Sequence, residues 1–150
     1  SIASPLNIGI ENSRRFRALP VYATLAAYGR EGYRNMLLRQ IRLARGIARF
    51  ILGHPGYELL PKSSASEEER IGNIYIIILF RAINETLNRQ LVKRINGTRK
   101  IYVSGTTWNE APACRFAISN WQVDVDQDLR LIRNVLEEVA SGHALGTSET

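Results

Sequence analysis

The feature that most constrains this chain is the run IGNIYIIILFRA at residues 71–82. β-branched and aromatic residues follow one another there, a composition typical of a β-strand. The polar alternation of a half-exposed strand is absent, so the run suits a strand covered on both faces. It predicts a strand inside a sheet, and one that would favour aggregation if its neighbours were missing.

Two helices are predicted before this strand. The stretch RRFRALPVYATLAAYG, after Ser13, predicts a short helix with Pro20 in its first turn and an end near Gly29. REGYRNMLLRQIRLARGIARFILG predicts a longer helix closed by Gly53. Apolar residues at helical spacing give this second helix one buried face: Met36, Leu37, Ile41, Ala44, Ala48 and Ile51.

The residues between this helix and the strand are predicted to be a loop. HPGYELLPKSSASEEER breaks the helical pattern with Pro55, Gly56 and Pro61, and its Ser/Glu-rich half predicts a mobile surface loop. Within this segment, YELL predicts a short strand.

Further helices and strands follow the apolar run. NETLNRQLVKRINGT predicts a helix with Asn84 as N-cap and Gly97 at its end, and with Leu87, Leu91 and Ile95 along one side. IYVSGTTWNEAPACRFAISN, residues 101–120, predicts two strands joined by a connection. The final GHALGTSET, residues 142–150, predicts a frayed tail.

The last helix is predicted from DVDQDLRLIRNVLEEVAS. Asp124 and Gln127 have capping-box spacing at its start. Its core face is formed by apolar residues at helical spacing: Val125, Leu129, Ile132, Leu136 and Val139.

The order of elements is two helices followed by β, β, α, β, β, α. It predicts an α+β layer, in which helices pack against a small antiparallel or mixed sheet. The first helical pair has no sheet of its own to cover, so we expect it to belong to a larger body.

The chain is basic, with a formal net charge of +6 from 17 Arg and 3 Lys against 14 acidic residues. Such a charge fits a nucleic-acid-binding module. A preference for Arg over Lys also fits ion pairs and contacts between subunits. The stripe formed by Arg42, Arg45 and Arg49 on the second helix favours a solvated or subunit-facing surface.

Several kinds of chemistry are excluded by what the sequence lacks. Cys114 is the only cysteine, so neither a disulfide framework nor a zinc cluster is expected. GREG and SGTT lack the spacing of a phosphate-binding loop, and His54 and His143 do not complete a catalytic triad. No apolar segment is long enough to predict a membrane span, so the chain is expected to be soluble, with a cytoplasmic location.

Arg115 is the residue that most invites a functional interpretation. It interrupts the mostly apolar strand CRFAIS, on the face opposite Cys114 and Phe116. One interpretation is an ion pair with an acid, either Glu110 or one outside this chain. The other is a guanidinium fork for a carboxylate or phosphate. The residues alone leave both open.

Four stretches taken together resemble a known family. They are SRRFRALPVYATLAAYGREGYRNMLLRQIRLAR, LFR, SGTT and CRFAISN followed by an acid-rich helix. In this order and spacing, residues 13–140 resemble the C-terminal portion of the pyridoxal-phosphate-dependent group II amino-acid decarboxylases. That family includes the aromatic-L-amino-acid, tyrosine, histidine and glutamate decarboxylases.

The resemblance implies a place in a larger α/β fold. The family has the type I aminotransferase-like architecture, a homodimer with an α/β cofactor domain and a smaller C-terminal α/β domain. Residues 1–52 would be helical and lead out of the cofactor domain, residues 53–141 would form the small domain, and residues 142–150 would be a flexible tail.

The resemblance also implies which catalytic parts are missing. The family's Schiff-base lysine follows a histidine in a cofactor motif upstream of this region. None of Lys62, Lys93 and Lys100 has that context. The chain alone is therefore expected to be inactive, with no catalytic, cofactor-binding or metal residue of its own.

For three individual residues, the resemblance implies two roles. Arg115 matches the arginine of a family strand that glutamate decarboxylase associates with the substrate carboxylate. Arg14 and Arg15 match paired arginines and are expected at a domain or subunit interface. The implied partners are an amino-acid substrate, the remainder of the enzyme chain and a second copy, with neither nucleic acid nor membrane. A non-catalytic dimerisation partner, another cofactor enzyme of this fold such as an aldehyde-forming decarboxylase, and the nucleic-acid module stay open as alternatives.

Overall fold

The computed structural model describes residues 16–142, which divide into two compact units, one ending at Arg34 and the other beginning at Asn35. The first element, α1 (Leu19–Gly53), is a helix broken at Gly29, where φ is 61° and ψ is −175°. This backbone conformation is essentially restricted to glycine. The predicted helix end near Gly29 and the end at Gly53 are both confirmed. The predicted domain boundary at residues 52 and 53 stays a prediction.

The second unit is built on a four-stranded sheet in the order β1-β2-β4-β3, with every neighbouring pair antiparallel. This confirms the predicted α+β layer. Along the chain, the elements after α1 are β1 (Tyr57–Leu60), α2 (Glu67–Gly72), β2 (Ile77–Ala82), α3 (Glu85–Gly97), β3 (Ser104–Trp108), β4 (Ala111–Ala117) and α4 (Val125–Ala140).

The core lies between the helices and one face of the sheet. From the sheet it takes Phe80 and Phe116, whose rings stack with centroids 5.4 Å apart. α4 contributes Ile132, Leu136 and Val139 of its predicted face, and Val135 in addition. The buried residues of α1 are Gln40, Leu43, Ala44, Ile47, Ala48 and Ile51.

The predicted buried face of α1 is wrong at its beginning. Leu37 is 44% exposed, whereas Leu43 and Ile47, which the prediction left out, are fully enclosed. Both choices fit helical spacing, and only the position of the sheet decides between them. The core begins about one turn later than the sequence pattern suggests.

The Ser/Glu-rich loop prediction is also wrong, because α2 forms within it. The Oγ of Ser66 accepts a hydrogen bond from the Glu69 amide at 3.2 Å and caps the helix. Glutamates in the first turn interact favourably with the helix dipole. At the other end Arg45 of α1 donates to the carbonyls of Gly72 (2.7 Å) and Ile74 (3.0 Å). Arg45 is therefore a structural contact, while Arg42 and Arg49 are exposed as predicted.

The strand β2 is shorter and less covered than predicted. Ile71 belongs to α2, and the strand begins at Ile77. Ile78, Phe80 and Ala82 are buried, but Ile77 is 47% exposed, because the helices cover one face of the sheet.

The predicted helix caps are confirmed with one difference. Asn84 Oδ1 accepts a hydrogen bond from the Leu87 amide at 2.9 Å at the start of α3. Asp124 Oδ1 accepts one from the Gln127 amide at 3.0 Å at the start of α4. The reciprocal bond comes from the Asp124 amide to Asp128 Oδ2, at 3.1 Å, and not to the Gln127 side chain.

His54 and Tyr57, which closely follow α1, are hydrogen-bonded to the last helix. Tyr57, in β1, donates its hydroxyl proton to the carbonyl of Leu136 at 2.7 Å. His54 lies 3.2 Å from Glu137 through Nε2, and its Nδ1 accepts the Gly56 amide proton. The first strand and the residue directly after α1 are thus each joined to the last helix by a hydrogen bond.

The hairpin between β3 and β4 turns through two left-handed residues. Asn109 has φ of 48° and Glu110 has φ of 63°. Such a two-residue turn matches the twist of the strands, and glycine is favoured at its second position. Asn tolerates the left-handed region, whereas Glu is strained there.

Replacing Glu110 by glycine is therefore expected to stabilise the chain, by about 0.5–1 kcal/mol, because it relieves the left-handed strain. Urea unfolding followed by circular dichroism measures the change. Glu68→Gly is the matched control: Glu68 is an exposed helical residue of α2, so the same substitution should destabilise. A destabilised Glu110→Gly variant would contradict the strained turn.

Two ionisable groups are enclosed in the core. Burial raises the pKa of the Cys114 thiol from 9.0 to about 12. Burial, with smaller contributions from Cys114 and Glu137, raises the pKa of Tyr57 well above its usual value. Both groups stay protonated in the folded chain at a pH where they ionise in the unfolded chain.

Stability is accordingly expected to fall as the pH rises above about 9, since the unfolded state then binds fewer protons than the folded state. The free energy of unfolding, measured in urea between pH 8 and pH 11, should show this loss. Cys114→Ala should reduce its slope. The slope should be unchanged in Val103→Ala, because the buried Val103 has no ionisable group. Equal slopes in all three proteins would refute the assignment.

Candidate functional site

The face of the sheet that the helices leave uncovered carries the predicted functional residue. Alternation along the strands places a common set of residues there, which we call the open face: Glu58, Leu60, Ile77, Leu79, Arg81, Ala111, Ala113, Arg115, Ala117, Ser104, Thr106 and Trp108. Of these, Leu60 and Ala113 are buried. The opposite face holds Phe80, Cys114 and Phe116 in the core.

Arg115 is exposed in the middle of the open face. Its register partners are Leu79 on β2 and Ser104 on β3. Its Nε donates a hydrogen bond to Ser104 Oγ at 3.1 Å. The predicted position opposite Cys114 and Phe116 is therefore confirmed.

The predicted ion pair between Arg115 and Glu110 is not formed. Glu110 lies in the hairpin turn, and within residues 16–142 no carboxylate forms a salt bridge with Arg115. Exposure removes the cost of burying an unpaired charge, so the cation is stable without an acid. Its terminal nitrogens have no acceptor among residues 16–142, while its Nε is bonded to Ser104.

The open face also carries an ion-pair cluster that the sequence did not predict. Glu58, on β1, accepts a hydrogen bond from Arg81 Nε at 2.6 Å, and its other oxygen lies 2.5 Å from Lys62 Nζ. Glu58 and Arg81 are register partners on neighbouring strands. Alternation along β2 places Arg81 on the open face. Only the pairing register of β1 with β2 identifies Glu58 as the acid that binds it.

A hollow of about 490 Å³ adjoins this cluster at the end of the sheet. Arg81, Lys62 and Glu58 line it, together with Glu85 and Arg89 of α3. Glu85 Oε1 and a terminal nitrogen of Arg89 lie 2.7 Å apart and form a salt bridge. The charged side chains that line this hollow are thus largely paired with one another.

None of the three lysines has the surroundings of a cofactor amine. Lys62 pairs with Glu58, Lys100 lies 3.2 Å from Glu138, and all three lysines are exposed. A carbonyl cofactor needs an amine that is desolvated or otherwise kept neutral. The residues of this chain therefore do not fit covalent attachment of pyridoxal phosphate.

Arg14, Arg15 and His143 lie outside the described residues, so the interface role of the two arginines stays a prediction. Residues 16–142 contain no group of acidic, His and Cys side chains suited to hold a metal ion. None of the described helices is both long and apolar enough to cross a membrane.

In fold, the chain matches part of a pyridoxal-phosphate-dependent decarboxylase. The crystal structure of Oryza sativa TDC with PLP and tryptamine superposes with a TM-score of 0.69 at 18% identity. The match covers 97% of this chain and 31% of the rice protein.

In sequence, the chain resembles the C-terminal portion of the group II amino-acid decarboxylases, which confirms the predicted resemblance. Tyrosine decarboxylase 2 of Arabidopsis thaliana is 28% identical over 118 residues, or 73% of this chain and 20% of that protein. The 3,4-dihydroxyphenylacetaldehyde synthase of Aedes aegypti is 29% identical over 111 residues, which are 73% of this chain and 19% of that protein. No family model matches. The chain spans about a fifth of the curated relatives it matches.

Proposed function

We propose that this chain is the C-terminal part of a pyridoxal-phosphate-dependent enzyme that decarboxylates an α-amino acid. The observation that supports it best is the fold match, which covers 97% of this chain and only 31% of the rice decarboxylase. A nearly complete match to a fraction of a larger protein is what a segment of such an enzyme would give. The similarity to tyrosine decarboxylase 2 supports the same reaction class.

The proposal divides the work between this chain and the rest of the enzyme. Pyridoxal phosphate supplies an electron sink for the carbanion left by loss of CO₂. The three exposed lysines of this chain, two of them ion-paired, would not provide its attachment point. The amine would come from the remainder of the enzyme, and the 150-residue chain alone would be inactive.

Within the enzyme, Arg115 would meet an anionic group. Two groups have the required charge, the substrate carboxylate and an acid of the cofactor domain. The support is that Arg115 is exposed on the open face and has no salt bridge within residues 16–142. Guanidinium binds either kind of carboxylate by charge-assisted hydrogen bonds.

The enzyme would be a cytoplasmic homodimer. A subunit contact through α1 is supported by the exposed Arg42 and Arg49 together with Leu37 and Leu38, which are 44% and 37% exposed. A reducing compartment is consistent with the single cysteine, which is a buried free thiol.

A second product class is favoured by one comparison. The Aedes aegypti relative is named for the synthesis of an aldehyde, and it is as similar to this chain as the tyrosine decarboxylase is. An aldehyde-forming decarboxylase of the same fold is therefore the alternative reaction.

The reaction can be tested with the complete gene product, supplied with pyridoxal phosphate and a panel of aromatic and acidic amino acids. Release of CO₂ with one amine per turnover is expected, while an aldehyde product would indicate the alternative reaction. The 150-residue chain alone should release no CO₂. A complete product that binds pyridoxal phosphate and decarboxylates none of these amino acids would contradict the proposal.

The role of Arg115 is tested by Arg115→Met in that enzyme. If the arginine binds the substrate carboxylate, kcat/KM should fall about tenfold or more, because a charged hydrogen bond is lost. The absorption spectrum of the bound cofactor should not change. Arg130→Met is the control, since Arg130 is an exposed arginine of α4. A variant that no longer folds would instead indicate a structural contact with an acid of the cofactor domain.

A further inference from the structure

The contact between Ser104 and Arg115 is reciprocal. Ser104 Oγ accepts the Arg115 Nε proton at 3.1 Å, and the same hydroxyl lies 3.5 Å from the Arg115 carbonyl as donor. The two residues are register partners on β3 and β4. The side chain of one strand is therefore tied to both the side chain and the backbone of its neighbour.

This contact determines which nitrogens of Arg115 remain available. A guanidinium can hold a carboxylate from the side, through Nε and one terminal nitrogen, or from the end, through both terminal nitrogens. Ser104 occupies Nε, so the side approach that uses Nε is closed. The two terminal nitrogens have no acceptor among the described residues and are left for an end-on approach.

The sheet restricts the arginine from its other side as well. Leu79, the partner of Arg115 on β2, is half-buried and has no hydrogen-bonding group in its side chain. Lateral movement away from Ser104 thus brings the guanidinium over an apolar residue. Ser104 supplies the polar contact that fixes the orientation.

We propose that Ser104 is a positioning residue that holds the Arg115 guanidinium for end-on binding of a carboxylate at the open face. The inference rests on the proposed function only for the identity of that carboxylate. The orientation itself depends on Ser104, Arg115 and Leu79. A fixed guanidinium loses less conformational freedom on binding than a free one.

The orientation is tested by nitrogen-15 NMR of the arginine side chains in the 150-residue chain. Arg115→Lys identifies the Arg115 signals by their loss. The Nε proton of Arg115 is expected to exchange with water more slowly than that of Arg130, an exposed arginine of α4. Ser104→Ala should bring the two rates together, and Ser104→Thr, which keeps a hydroxyl, should preserve the difference.

Binding is tested in the same samples with sodium formate as the probe, against sodium chloride at equal ionic strength. Formate should shift the terminal nitrogens of Arg115 in the wild-type chain and leave Nε unaffected. In the Ser104→Ala variant, formate should shift the NMR signal of Arg115 Nε as well. Fast Nε exchange in the wild-type chain, or equal formate shifts at Nε in both proteins, would overturn the proposal.

The complete enzyme gives a separate kinetic test. Ser104→Ala should raise KM about fivefold with kcat little changed, the effect of losing one hydrogen bond that orients the ligand contact. Ser104→Thr should restore KM. If Ser104→Ala and Ser104→Thr lowered kcat equally and also lowered the melting temperature equally, Ser104 would have a structural role. That result would overturn its role as a positioning residue. A complete product without decarboxylase activity would contradict the proposed function, and the NMR result would still decide the role of Ser104.

Discussion

The packing of aromatic side chains on the core face of the sheet is the constraint on which the second unit depends. Phe80 and Phe116 lie on neighbouring strands and stack, and Tyr57 contacts Phe80 edge to face with centroids 5.8 Å apart. Burying each aromatic side chain contributes on the order of 2–3 kcal/mol. Because these rings use one face of the sheet, every alternate residue must point the other way. The open face, with Arg115 at its centre, is the direct consequence.

The sequence was sufficient where a local signal determines the structure. Gly29 and Gly53 marked the break and the end of α1, and Asn84 marked the start of α3, because cap and turn residues act through neighbouring backbone groups. Apart from α2, the order of strands and helices followed from sequence patterns, and the face of Arg115 followed from strand alternation. The resemblance to the decarboxylases rested on several short stretches taken together.

The sequence was insufficient where distant residues decide. Leu37 and Ile47 both fit a helical stripe, and only the position of the sheet buries one and exposes the other. Six-residue α2 was missed because its cap, Ser66, stood among other serines. The pairing of Glu58 with Arg81, and of Ser104 with Arg115, depends on strand register, which no local pattern in this chain specified.

The bonds from the first strand to the last helix limit how far the chain can be shortened. A truncated chain ending before Leu136 would leave the buried hydroxyl of Tyr57 without its acceptor and would remove the helical residues that include the buried Val139. An unsatisfied buried hydroxyl and an uncovered core would both destabilise the sheet. The last helix is therefore an integral part of the folding unit. Separating it from the strands would expose apolar core side chains to water, and such exposed side chains promote aggregation.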